Sequence, residues 1–197
     1  MVETYTEEIG GIKFRFSAEE VLRPLAEPLL EAIEQIPVER LKDGFRIEAG
    51  FTTFTLSDHN GGYDIAAPDY TDDPFTVLTT DLTMALLIQF KQVAFLKKQG
   101  VMGQTIHYYD KVAVAKGALE SDTISMHRYD DLGASGWSVE LYEVDENGKA
   151  SPVESQEYEA VYAYELLTKR PALVDALLLP FGYIVVYYGD EVVACFK

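Results

Sequence analysis

Ser135 stands in the run Gly133-Ala134-Ser135-Gly136-Trp137, and a hydroxyl on a glycine-flanked turn is where a serine nucleophile would be sought. A nucleophile elbow needs one residue between the serine and each glycine, so that the sharp bend presents the oxygen. Here Gly136 follows Ser135 directly, and the pattern fails. The three histidines, His59, His107 and His127, have no i,i+4 spacing, and the single cysteine, Cys195, is far from them in sequence. Zinc needs three or four converging ligands, and the spacing offers no such set. Asp69, Asp72 and Asp73 crowd one loop that lacks the glycine and terminal glutamate of a calcium loop. Cys195 falls in an apolar strand, where a thiol packs as a small core residue unless nearby positive charge activates it. Neither common form of glycine-rich phosphate loop is present. The expectation is no catalytic residue, no metal and no cofactor.

Recognition is the chemistry that remains. The chain holds 16 basic and 33 acidic residues, a formal net charge of −17. Nucleic acid is bound largely through Lys and Arg contacts to phosphate, so DNA, RNA and anionic membrane surfaces are disfavoured partners. The excess is spread evenly, with 9 basic and 17 acidic residues in 1–99 and 7 and 16 in 100–197. Such a surface either serves solubility or meets a basic partner, whose encounter it would speed. The densest stretch, 140–159, sets Glu140, Glu143, Asp145, Glu146, Glu154, Glu157 and Glu159 against Lys149 alone. It reads either as a charged edge that blocks unwanted strand pairing or as a docking patch. Thirteen tyrosines are the other surplus; tyrosine is at home both in half-buried strands and at interfaces.

The elements that must position these residues follow from periodicity. Residues 10–16 alternate as a strand, and Ser17 with Glu20 has capping-box form ahead of a helical pattern from Val21 to Ile36. Pro24 and Pro28 require that helix to start late or kink. Residues 44–67 are β-rich with turn chemistry at 58–62. The clearest helix runs from about 80 to 99, with Thr79 or Thr80 as cap, Asp81 at its positive end and Gly100 past its last turn. Strands return in 111–119, 123–129 and 137–144, with Asn147-Gly148 favouring a tight hairpin. Residues 158–179 read as mostly helical, broken at Pro171, before a C-terminal hairpin around Gly189-Asp190. The class is α+β, with mostly antiparallel sheets packed against two long helices and a helical segment before the final hairpin. The chain reads as an N-terminal half, 1–100, and a C-terminal half, 101–197, or as one compact domain. One cysteine forbids an internal disulfide, the start has neither basic nor apolar leader regions, and no apolar stretch would span a bilayer. A cytoplasmic protein is expected.

The stretch from Asp110 to Glu143 runs strand, small-residue turn, strand, Arg-bearing loop, Ser-Gly-Trp, strand. In this it resembles a bacterial family classed among the immunity proteins of polymorphic toxin systems, marked by Asp-Ser-Gly-Trp after an Arg-bearing strand. The matching positions are Arg128, Ser135, Gly136 and Trp137, and Ala134 stands where that family has the acid. The resemblance runs from about Gly44 to the end and implies a protein that binds and neutralises a toxin.

The leading expectation is therefore a non-enzymatic, immunity-type protein that neutralises a basic toxin or effector. Its candidate contact residues are Trp137, Arg128, Ser135, Glu140, Glu143, Asp145 and Glu146. Trp137 itself is expected to anchor the loop on the core. The alternatives are a small-molecule or hydrolytic domain with a pocket between sheet and 80–99 helix, and a homodimer paired through the C-terminal hairpin.

Overall fold

The computed structural model describes residues 1–144 and 150–197, so Asp145, Glu146 and the Asn147-Gly148 turn lie outside the described residues. The chain divides into two compact units, Met1–Lys91 and Gln92–Lys197. Each is a mixed but mostly antiparallel sheet with helical segments, and the α+β class holds.

The first unit opens with β1 (Val2–Ile9) and β2 (Ile12–Glu19), an antiparallel pair turned at Gly10 and Gly11. Two glycines suit the positive φ of a two-residue hairpin, so β1 was announced by a turn that the sequence reading passed over. The expected helix start at Ser17 is corrected: Ser17 stays in β2. Its N–H bonds the Thr80 carbonyl at 2.7 Å, and its own carbonyl receives the Leu82 N–H at 2.8 Å. Glu20–Ala26 is a 3₁₀ segment that accommodates Pro24, and α1 (Glu27–Glu34) begins only where Pro28 occupies its first turn. Proline is tolerated there because the missing N–H has no intrahelical partner anyway.

Strands β3 (Arg46–Ala49), β4 (Thr52–His59), β5 (Gly62–Pro68) and short β6 (Leu78–Thr79) complete the first sheet, ordered β1-β2-β5-β4-β3 with β6 on β5. Only β2 and β5 run parallel. Phe14, Phe16, Phe54, Leu56 and Ile65 point inward and bury against Leu29 and Ile33 of α1 and against Leu82 and Leu86. The one long helix, α2 (Thr83–Gln99), replaces the expected pair, since α1 has only eight residues. Its cap is Asp81, whose Oδ1 accepts the Thr83 N–H at 3.0 Å, while Thr79 Oγ1 accepts the Asp81 N–H at 3.1 Å. Lys97 and Lys98 fill its last turn, and past it Gly100 and Val101 return N–H groups to the Lys97 and Leu96 carbonyls.

The second unit is built on β7 (Lys111–Ala115), β8 (Thr123–Arg128), β9 (Trp137–Val144), β10 (Ala150–Pro152), β11 (Tyr158–Tyr162), β12 (Ile184–Tyr188) and β13 (Glu191–Phe196). The order is β11-β7-β9-β8-β12-β13, with β10 on β9 and only β7 and β9 parallel. The helical reading of 158–162 is corrected: this segment is β11, paired with β7 from Tyr158 opposite Ala115 to Tyr162 opposite Lys111. Sheet pairing overrides a five-residue helical pattern because it satisfies the whole backbone edge of β7. Helix follows only in short pieces, α3 (Leu166–Lys169) and the 3₁₀ turns Ala163–Glu165 and Pro171–Ala176. Arg170, before Pro171, is extended at φ −158°, as a residue preceding proline tends to be. The core gathers Val112, Val114, Ile124, Met126, Val139 and Val185 under Leu166, Leu173, Val174 and Leu177.

Candidate functional site

The Ser-Gly-Trp segment forms the turn between β8 and β9, and its geometry is that of a clasp. Gly136 has φ +72°, and its N–H and carbonyl bond Leu132 O at 3.0 Å and Tyr129 N at 2.7 Å. A Cβ at Gly136 would meet the Tyr129 carbonyl oxygen at 2.3 Å and the Phe181 ring at 2.7 Å, so no other residue fits. Ser135 Oγ donates to the Lys111 carbonyl at 2.5 Å and accepts the Trp137 N–H at 3.1 Å. The hydroxyl is thus spent on tying the turn to β7.

Trp137 has 0 % exposure, and its Nε1 donates to the Leu177 carbonyl at 2.8 Å, satisfying the buried indole. Arg128, 1 % exposed, lies over the Phe181 ring at 4.7 Å and the Trp137 ring at 5.8 Å. Its guanidinium bonds no carboxylate. It donates instead to five carbonyls, those of Gln104, Thr105, Ser135, Leu177 and Leu179. Carbonyl dipoles are its hydrogen-bond partners, and desolvation pulls its pKa down to about 10 although the Asp110 carboxylate opposes this. The group stays a cation at neutral pH and locks three loops together. Arg170 is held similarly, donating to the Ala118, Ser121 and Gly189 carbonyls, but it also pairs with the Asp190 carboxylate at 3.4 Å.

Arg128, Ser135 and Trp137 therefore converge, as the motif implied, but with no side-chain surface left for a partner to touch. Glu140 and Glu143 do reach the surface, and Asp145 and Glu146 lie outside the described residues. Three residues that the sequence reading left out surround Glu140. Its Oε1 accepts from Ser138 Oγ at 2.8 Å and from Tyr129 Oη at 3.2 Å. Tyr158 projects from β11 toward the same spot, close enough that Ser138 and Glu140 both act on its hydroxyl. Burial, then Glu140, pushes the Tyr129 phenol up to about 12, so it remains a donor. The His127 ring lies against Tyr129 at a 36° tilt, with centroids 3.7 Å apart. Alternation along β8 and β9 was the available signal: His127 and Tyr129, like Ser138 and Glu140, sit two apart and share a face.

A cavity of about 300 Å³ in the first unit opens beside the start of α2, lined by Pro68, Asp69, Thr71, Thr79, Asp81 and Met84. Its carboxylates are already engaged. Asp81 caps the helix, and Asp69 accepts from Thr71 Oγ1 at 2.7 Å and Thr71 N at 2.9 Å, which holds its pKa low. Burial raises the Cys195 thiol pKa, more strongly than Lys98 lowers it. Among the described residues, no group of three or more His, Cys, Asp or Glu could hold a metal ion, and no helix is long and apolar enough to cross a membrane.

Fold and site together define an α+β protein whose motif is a buried structural clasp beneath an aromatic, acidic sheet face. Residues 91–196, more than half of the chain, match the family described as Imm33-like domain. The chain belongs to this immunity-protein family, and such membership implies a toxin partner in general. No curated protein and no solved structure matches.

Proposed function

We propose that the protein neutralises a toxin by binding it directly and stoichiometrically, in the cytoplasm, with no chemistry of its own. The observation that carries this reading is the match of the second unit to an immunity family. The geometry supports it: Ser135, the one motif hydroxyl, is tied to Lys111 and Trp137. What faces solvent is acidic, so the partner is a basic protein, encoded beside this chain as polymorphic toxins and their antidotes are. Glu140 and Glu143, with Asp145 and Glu146 next in sequence, are the contact residues. Arg128, Ser135 and Trp137 act from beneath by holding the turn. The test is co-expression with the toxin encoded beside the gene. Restored growth, together with a complex that weakens as salt rises, supports the reading. Continued killing, or protection without a complex, contradicts it.

Self-association is a second reading, from one observation. β13 ends the second sheet, and Val193, Phe196 and the neighbouring Tyr188 are exposed there. A copy paired edge to edge would cover them. Sedimentation over a range of concentrations decides: a dimer mass supports this reading, and a monomer mass throughout removes it.

A further inference from the structure

The face of the second sheet turned away from its core carries a polar group that packing does not require. Trp137 and Val139 of β9 and Met126 of β8 take the core side, which leaves Ser138, Glu140, Tyr142 and His127 on the other. Cross-strand register sets His127 opposite Ser138, and Ser125 opposite Glu140. Ser125 is short, so β8 sets no bulky side chain directly opposite the carboxylate.

Glu140 is held by one oxygen only. Ser138 and Tyr129 both donate to Oε1, and Oε2 receives no hydrogen bond from any described residue. Both donors are neutral, so they fix the side-chain rotamer without cancelling its charge. No Lys or Arg among the described residues pairs with it, although eight other ion pairs form among those residues, such as Lys116–Glu157 and Lys169–Glu165. Aromatic rings border the carboxylate: Tyr129, backed by His127, and Tyr158, which is 47 % exposed. Tyr142 lies within electrostatic reach of Tyr129.

A fixed carboxylate with one unused oxygen, bordered by tyrosine side chains, matches one kind of side chain. A guanidinium offers N–H groups to the oxygen while its plane stacks on an aromatic ring. We propose that Glu140, Tyr129 and Tyr158 form a socket for an arginine side chain of the partner protein. The donor's origin rests on the reading of the chain as a toxin-binding protein; the socket itself is a property of this sheet. It also gives the buried motif a part in binding. Gly136 accepts the Tyr129 N–H and leaves no room for a Cβ beside the Tyr129 carbonyl, so the clasp sets where the Tyr129 ring stands. Preorganisation of this sort lowers the entropy lost on binding.

The test titrates the intact protein with N-acetyl-arginine amide and, as neutral isostere, N-acetyl-citrulline amide, reading tyrosine-ring and Glu140 carboxyl resonances by NMR. Saturable shifts at Tyr129, Tyr158 and Glu140 with the arginine amide, at least about tenfold weaker in Glu140→Gln, support the socket. The glutamine keeps the acceptor that Ser138 and Tyr129 use. Equal responses to both amides, or unchanged affinity in Glu140→Gln, overturn it, and the citrulline comparison needs no variant to fold. The same variant in the toxin complex separates the two claims. Toxin binding unaffected by Glu140→Gln, without arginine shifts, ends the socket and leaves the immunity reading standing. Arginine shifts in a protein that binds no toxin do the reverse.

Discussion

At the scale of single residues, the glycines of the motif are unequal despite sharing a left-handed backbone. A Cβ at Gly133 meets nothing within 4 Å, whereas one at Gly136 strikes the Tyr129 carbonyl. Gly133→Ala is expected to cost about 1 kcal/mol, the strain of a positive φ, and Gly136→Ala about 3 kcal/mol or more, because backbone must also move. Urea unfolding followed by Trp137 fluorescence measures both; equal costs would refute the clasp. Trp137→Phe keeps most of the packing but removes one of the two donors to Leu177 O, the other being Arg128, so about 1–2 kcal/mol is expected. Trp137→Ala, which opens a cavity, is expected to lose about 3–5 kcal/mol. The sequence made the tryptophan's role legible, since a lone indole opening a strand after a glycine turn has to go inward and find an acceptor. It did not disclose that Arg128 would be held by carbonyls. Those carbonyls come from segments up to 51 residues away, and no side-chain pattern marks them.

Among the elements, capping decides how α2 begins. Thr80 was a reasonable cap on residue type, but its carbonyl is taken by Ser17 of β2 and its side chain faces solvent. Asp81 takes the role. Asp81→Ala is expected to lower stability by about 1 kcal/mol and Thr80→Val to change it little, measured by chemical denaturation. A larger loss at Thr80 would contradict the assignment. The strand that the sequence hid has a non-local cause. β11 takes its form from its partner β7, whose ladder overruled a helical pattern over residues 158–162, whereas the Gly10-Gly11 turn did mark β1. Where pairing partners lie close in sequence and the turn is announced, as at Gly189-Asp190, the reading succeeded. The misassignment of β11 also hid Tyr158, and with it one wall of the socket around Glu140.

For the whole molecule, the net charge of −17 sets how it meets another protein. Opposite charge raises the encounter rate and makes binding weaken with salt, without determining the fold. The polar groups that a hydrolase would need are committed elsewhere: Ser135 to the turn, Asp81 to a helix cap, Asp69 to its own loop. Neutralisation by binding, as proposed, works by occupancy, and occupancy has a stoichiometry. The most direct measurement titrates a fixed amount of the proposed toxin partner with the purified protein and follows residual toxin activity. Activity that falls linearly to zero at one equivalent is the predicted result; complete loss at a small fraction of an equivalent would mean turnover and would contradict the account.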